Sequence, residues 1–264
     1  MANLKTAIEW TDRTWNPVTG CTKVSPGCAN CYAERITNRF AGPDAFDKVV
    51  LHPERLEDPL RWKKTSRVFV NSMSDLFHEC VPDGFLDAAF SVMARRRLHT
   101  FQILTKRAER VRNYFADPLT RIRVAKAIAW NDIPQWPLPN VWLGVSVENQ
   151  RFADERIPLL LQTPAAVRFI SVEPMLGPVD LFNADGDGLR GGLKGALDWV
   201  ICGGESGPGA RPLHPNWARA LRDQCQSAGV PFFFKQWGGR TPKAGGRLLD
   251  GREWNEFPKK EKEE

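Results

Sequence analysis

The sequence predicts an α/β fold, a closed or partly open (β/α) barrel of about seven parallel strands. Short runs of branched and aromatic residues recur roughly every thirty residues, and helix-like stretches separate them. Strands of this kind are buried on both faces, so a parallel sheet covered by helices is expected. Chains of this length often fold as one TIM-like barrel domain, here residues 1–264. A flat doubly wound sheet is the alternative, since periodicity does not show closure.

The predicted strands begin with the aromatic and polar stretch 7–17, which leads into a cysteine-rich loop. Six compact runs rich in β-forming residues follow it. They are 67–71, 100–104, 141–146, 167–171, 199–202 and 231–235.

Helices are predicted from amphipathic spacing and from Gly or Pro at their ends. The predicted helical stretches are 32–40, short proline-interrupted pieces within 51–62, then 84–94, the basic piece 121–128, and 217–225. Two insertions interrupt the repeat, around 117–140 and 183–195, and a flexible tail is expected at 258–264.

Composition narrows the class of protein. A hydrophobic content of 42% with ten tryptophans is enough for a core, and no apolar run approaches a membrane span. With no apolar signal segment at the start, a soluble cytoplasmic protein without membrane contact is expected. A net charge of +6 and a pI near 9.1 fit a nucleic-acid partner, or serve only solubility.

The cysteine loop contains three of the six cysteines, Cys21, Cys28 and Cys31, separated by six and then two residues. Two thiolates two residues apart bend onto one centre, and Ser25-Pro26-Gly27 supplies a turn for the third. Three cysteines suit a [4Fe-4S] cluster whose fourth iron is free to bind a substrate or cofactor. Zinc completed by a distant ligand and a disulfide framework are the alternatives, and the odd number disfavours disulfides.

Polar residues follow the predicted strands where they end, the edge that carries chemistry in parallel α/β folds. The repeated Ser-Val-Glu at 146–148 and 171–173 places Ser and Glu on one face of a strand. The Gly203-Gly204 pair allows a ligand close to the backbone. The candidate site residues at these ends are Asn71, Ser72, Ser74, Asp75, Lys106, Ser146, Glu148, Ser171, Glu173, Glu205 and Lys235.

These motifs together resemble a known family. The cysteine motif within residues 9–34, with 71–75, 171–174 and 203–206, resembles the phage Gp37/Gp68 family of three-cysteine proteins over residues 6 to about 240. A cysteine loop after the first strand of a barrel also resembles the radical S-adenosylmethionine enzymes. That resemblance implies that the free iron binds the amino and carboxyl groups of S-adenosylmethionine, with an electron donor as partner.

The chain departs from those enzymes in three respects, the first being Asn30, where they usually have an aromatic residue before the last cysteine. Their cysteines are separated by three and then two residues, and their second strand commonly ends in Gly-Gly-Glu, where this chain has Ser72-Met73-Ser74-Asp75. The resemblance assigns Asp75 to the methionine amine. Roles for the other strand-end residues are assigned by position. Cofactor contacts are expected from Asn71, Ser72, Ser74, Ser146, Ser171 and Glu205, and catalytic or substrate contacts from Glu148, Glu173, Lys106 and Lys235.

Basic stretches at 95–97, 106–107 and 121–123, with tryptophans nearby, predict DNA or RNA as the substrate, for repair or modification. The competing hypothesis is a nucleic-acid-binding protein without enzymatic activity, in which the cysteine loop holds structural zinc or an iron–sulfur cluster. A hydrolase that uses the carboxylates ranks last, because no nucleophile with a neighbouring base stands out.

Overall fold

A computed structural model describes residues 6–127, 133–183, 193–241 and 243–259. In chain order its strands are β1 (Arg13–Trp15), β2 (Val18–Thr19), β3 (Val50–Leu51), β4 (Arg67–Val70), β5 (Thr100–Thr105), β6 (Val141–Ser146), β7 (Val167–Val172), β8 (Trp199–Gly203) and β9 (Phe232–Gln236). Its α-helices are α1 (Tyr32–Ala41), α2 (Asp83–Arg95), α3 (Ala108–Ala116), α4 (Thr120–Lys126), α5 (Gln150–Leu161) and α6 (Pro215–Ala228). Within the described residues, no helix is both long and apolar enough to cross a bilayer.

Seven of these strands form one parallel sheet, curled into a half-barrel. They lie in the order β1, β4, β5, β6, β7, β8, β9, so neighbours in the sheet follow each other along the chain. A doubly wound sheet reverses its strand order at a switch point, and this sheet has no reversal. The prediction of a partly open (β/α) barrel is therefore confirmed, and the flat doubly wound alternative is wrong.

The predicted strands agree with the observed ones to within two residues, except for the first. Only Arg13–Trp15 of the predicted stretch 7–17 pairs in the sheet. The structure adds a small antiparallel sheet of β2 and β3, in which Val18 pairs with Leu51. Strands of two residues leave no alternation to detect, so the sequence did not predict this sheet.

The helix predictions agree with α1, α2, α4 and α6, and the proline-interrupted stretch forms 3-10 turns at Pro53–Arg55 and Asp58–Arg61. Helix α6 has typical residues at both ends. Pro215 lies in its first turn, and Gly229 ends it with a left-handed φ of 67°. The two insertions and the tail lie partly outside the described residues.

The chain divides into two compact units, and the single-domain organisation stays a prediction. Unit 1 comprises Met1–Gly144 and Gln162–Ala166, and unit 2 comprises Val145–Leu161 and Val167–Glu264. The cysteine loop lies in unit 1, with the strands β1 to β5.

Unit 1 is packed around an aromatic cluster between α2 and α3. The rings of Phe90 and Tyr114 stack with centroids 5.4 Å apart. The Tyr114 hydroxyl donates to Asp87 Oδ1 (2.8 Å), and Arg123 Nε donates to Asp87 Oδ2 (3.0 Å). Arg123 of the predicted basic stretch therefore anchors α4 to α2 through a buried carboxylate.

In unit 2, close packing explains why residues 203 and 204 are glycines. A Cβ atom on Gly204 would lie 2.0 Å from the carbonyl oxygen of Trp237, and one on Gly203 would lie 3.3 Å from Cδ of Glu173. The close approach that requires glycine is therefore made by the protein's own backbone and by Glu173. Packing within unit 2 therefore accounts for these glycines, and a ligand is not needed to explain them.

Candidate functional site

The cysteine loop begins at Gly20, in a conformation that only glycine tolerates. Its φ is +83°, and a Cβ atom would lie 2.0 Å from the carbonyl oxygen of Lys48. Gly20 N–H donates to the carbonyl of Met73 (3.2 Å), and Cys21 N–H donates to the carbonyl of Phe46 (2.8 Å). The first cysteine is thus fixed by backbone bonds to two other segments of unit 1.

The other two cysteines lie on short helical elements. Cys28 ends the 3-10 turn Pro26–Cys28, and Cys31 is the N-cap residue of α1. The Cys31 side chain makes no capping hydrogen bond, so its thiol is not used by the helix. Cys21, Cys28 and Cys31 are free thiols, each partly buried.

The three cysteines of the loop do not form a ready metal site. In the described part of the chain, no three or more Cys, His, Asp or Glu side chains are already gathered closely enough to hold a metal ion. The charge of Cys28 contributes to the raised pKa of Cys21, so these two side chains are electrostatic neighbours. The motif supplies three thiols that the described residues do not gather into a metal site, so the cluster stays a prediction.

Arg107, which follows β5, reaches the cysteine loop. Its Nη1 donates to Cys21 Sγ (3.6 Å) and to Asp75 Oδ2 (3.1 Å). Its Nη2 donates to Thr22 Oγ1 (3.1 Å), and its Nε donates to Glu79 Oε1 (2.9 Å). With a side chain only 4% exposed, this guanidinium joins the loop to the carboxyl ends of β4 and β5.

Asp75, which follows β4, is fully engaged by protein groups. Oδ1 accepts from Phe77 N–H (3.0 Å) and from the Thr105 hydroxyl (2.7 Å). Oδ2 accepts from Lys106 N–H (3.0 Å) and from Arg107. A carboxylate with four donors already has its ordinary complement. Any ligand amine at Asp75 must displace one of them, and the geometry favours Asp75 as an anchor for Arg107.

Burial raises the pKa of the Cys21 thiol to about 11, and the negative charge of Asp75 adds to this. Arg107 acts in the opposite direction, through its charge and its hydrogen bond to the sulfur. Without a metal, the Cys21 thiol is therefore neutral near pH 7. Metal binding must displace its proton, as thiolate ligation requires.

His78 also supports the loop and was not predicted. Its Nδ1 accepts from Cys80 N–H (3.1 Å), which leaves the proton on Nε2. Nε2 then donates to Thr22 Oγ1 (2.9 Å). Burial lowers the pKa of His78 and the charge of Arg107 adds to this, so the ring stays neutral.

The remaining predicted residues after β4 differ in how they are used. Ser72 Oγ donates to Asn16 Oδ1 (3.2 Å), and Ser74 Oγ donates to the carbonyl of Val18 (2.8 Å). Asn71 is 2% exposed, has a left-handed φ of 59°, and neither polar atom of its amide has a partner among the described residues. A buried amide without partners is costly and calls for a ligand or a water.

In unit 2, Glu173 after β7 and Lys235 in β9 form a close pair, with Oε1 and Nζ 2.5 Å apart. Each of these two side chains is about one-fifth exposed, at 20% and 18%. Ser146 and Ser171 are buried inside the strands β6 and β7. The structure thus leaves the Glu173 and Lys235 pair within reach of a ligand, and encloses the two serines.

The other predicted carboxylates of unit 2 are paired with arginines that the sequence gave no reason to select. Glu148 is fully buried, 3.3 Å from Arg156 Nη1. Glu205 Oε2 accepts from Arg211 Nε (2.9 Å), and its Oε1 accepts from Arg211 Nη2 (2.5 Å). Arg156 lies eight residues after Glu148, and Arg211 lies six residues after Glu205. Acidic and basic residues at such spacings are too frequent in the sequence to predict an ion pair.

Comparison with known proteins gives one match. The model of the family DUF5131, described as "Protein of unknown function", matches residues 5–258. Neither a curated protein nor a solved structure matches the chain.

Asp75→Asn is expected to lower the free energy of unfolding by about 3 kcal/mol, because it removes the buried carboxylate partner of Arg107 and leaves only the exposed Glu79. The matched control is Asp83→Asn. Asp83 pairs with Arg110 at a similar distance, 3.2 Å, but is 63% exposed, so its loss should cost at most about 1 kcal/mol. Urea unfolding of metal-free protein measures both. Equal, small losses for the two variants would contradict the anchoring role.

Alkylation of Cys21 by iodoacetamide at pH 8 is expected to be about a hundredfold slower in folded metal-free protein than in urea-unfolded protein. The reason is the pKa of about 11 in place of 9.0, since only the thiolate reacts. The rate should rise with pH until about 11. Because folding raises this pKa, the protonated Cys21 thiol contributes fully to the stability of the folded state below about pH 9. This contribution is lost as the pH rises towards 11. Mass spectrometry of the labelled peptide measures the rate, and a folded-state profile that levels off near pH 9 would contradict the raised pKa.

Proposed function

Since the chain belongs to the DUF5131 family, whose function is undefined, we propose from its own residues that it is an iron–sulfur protein of radical S-adenosylmethionine type. Cys21, Cys28 and Cys31 would hold one [4Fe-4S] cluster. The observation that carries the proposal is a motif of three free thiols, the first of which, Cys21, accepts a hydrogen bond from the buried Arg107 that follows β5.

Three thiols favour an iron–sulfur cluster over zinc. Structural zinc needs a fourth protein ligand, and the histidines nearest in sequence are already used. His52 Nε2 bonds to Thr19 Oγ1 (2.8 Å), and both ring nitrogens of His78 have partners. A cubane cluster held by three cysteines needs no fourth side chain, because the remaining iron takes an exogenous ligand.

The resemblance to the Gp37/Gp68 proteins and to radical S-adenosylmethionine enzymes supports the finer part of the proposal through the cysteine motif. When bound, such a cluster supplies the electron for cleavage of S-adenosylmethionine. The protein's own groups hold and shield the reactants. Arg107 and Asp75 fix Cys21, and the buried amide of Asn71 offers a donor and an acceptor to polar groups of the cofactor.

The paired Glu173 and Lys235 of unit 2 are proposed to contact the substrate. Together they present one acceptor and one donor, the pair of functions that binds hydroxyl, amine or carboxylate groups. Lys106 of unit 1 is only partly buried, so its ammonium group is proposed for a carboxylate or phosphate. Glu148 and Glu205 are each paired with an arginine. We propose that they hold the side chains of Arg156 and Arg211 in place.

Nucleic acid is the proposed substrate, on the net charge of +6 and the exposed arginines Arg95, Arg97 and Arg121. Other basic residues are used inside unit 1: Arg107 by the cysteine loop and Arg123 by α4. A triple Gln variant of the three exposed arginines should bind labelled DNA or RNA with a smaller dependence on salt concentration. Binding with an unchanged salt slope would exclude this surface.

Protein purified anaerobically is expected to be brown and to contain about four irons per chain, as one cubane cluster requires. Alanine at Cys21, Cys28 or Cys31 should abolish the colour, because each removes a ligand. The matched controls are Cys202→Ala and Cys225→Ala, whose thiols lie outside the cysteine motif and are buried in β8 and α6. Iron analysis and absorbance measure the result.

Stoichiometric zinc after anaerobic reconstitution, with no iron retained, would contradict the cluster. It would favour the alternative, a nucleic-acid-binding protein in which the loop is a structural zinc site.

A further inference from the structure

Arg107 contacts a proposed cluster ligand directly, from the end of a different strand. Its Nη1 lies 3.6 Å from Cys21 Sγ, and its side chain is 4% exposed. We infer that Arg107 is a positioning residue that sets the reduction potential of the cluster through this N–H to sulfur hydrogen bond. The inference rests on the proposed function, and it adds a role for a residue that lies outside the cysteine motif.

The guanidinium is held in one orientation by its other bonds. Asp75 accepts from Nη1 (3.1 Å), Glu79 accepts from Nε at both carboxylate oxygens (2.9 Å each), and Thr22 accepts from Nη2. A donor fixed by three partners keeps its N–H aimed at the sulfur in both redox states. The interaction therefore needs no rearrangement when the cluster gains an electron.

The direction of the effect follows from charge. Reduction adds a negative charge to the cluster and its thiolates, and hydrogen bonds and positive charge near the sulfurs favour that state. The acidic partners offset part of the arginine's charge. Asp75 is buried, whereas Glu79 is 64% exposed and screened by water. The hydrogen bond itself remains, so Arg107 should raise the potential.

The test is a redox titration of the reconstituted full-length protein, followed by electron paramagnetic resonance, with iron measured in each sample. In Arg107→Gln, the ratio of reduced to oxidised cluster at a fixed potential should fall about tenfold, a 59 mV lower midpoint for one electron. Arg107→Lys keeps the charge but loses the planar fork, and should fall by less. Glu79→Gln removes an opposing charge and should shift the ratio upwards.

The control is Arg112→Gln, on α3, whose side chain contacts Asn113 and Glu109 in the described part of the chain. Its potential should equal that of the wild type. Full iron content in Arg107→Gln with an unchanged midpoint would overturn the inference. If Arg107→Gln cannot hold a cluster, Arg107→Lys decides, and an unchanged midpoint there with full iron content would overturn it as well. A wild-type protein without iron would instead refute the proposed function.

Discussion

The buried ion pair of Asp75 and Arg107 is the interaction on which the geometry of the cysteine loop depends. Desolvating two charges is costly, and the attraction between them offsets this cost only when every remaining donor and acceptor is satisfied. Asp75 meets that condition with four donors, and Arg107 meets it with bonds to the loop and to Glu79. The pair thus fixes the end of β4, the start of α3 and Cys21 relative to one another.

The strands of the sheet give the cysteine loop a rigid base. In parallel α/β folds the loops after the strands provide chemistry, while the strands provide rigidity. Gly20 and Cys21 are held by backbone bonds to residues 46 and 73, so the loop begins from a fixed point. Its other cysteines lie on a 3-10 turn and on a helix N-terminus, where rotation about χ1 can move a sulfur without unfolding an element.

The sequence predicted the sheet well because its strands are short, apolar and regularly spaced. It did not predict which carboxylates are paired. The Glu148 to Arg156 and Glu205 to Arg211 pairs form because the chain folds back from a strand onto the following segment, and local spacing does not encode that return. For the same reason Arg107 was interpreted as part of a basic surface, when its side chain is in fact buried.

Asn71 and Gly204 also show that the sequence does not reveal the tertiary contacts of a residue at a strand end. Both lie at strand ends and were interpreted as ligand contacts. Gly204 proves to be required by the carbonyl of Trp237, a tertiary contact within unit 2. Asn71 keeps a buried amide that no described residue satisfies, and its assignment to the cofactor stays a prediction.

The central claim is that Cys21, Cys28 and Cys31 hold one cluster with an iron left open. The most direct test is to add S-adenosylmethionine to the chemically reduced protein and record its electron paramagnetic resonance spectrum. A new ligand at one iron alters the field there, so the account predicts a changed spectrum at saturating S-adenosylmethionine. An intact four-iron cluster whose spectrum stays the same would contradict it.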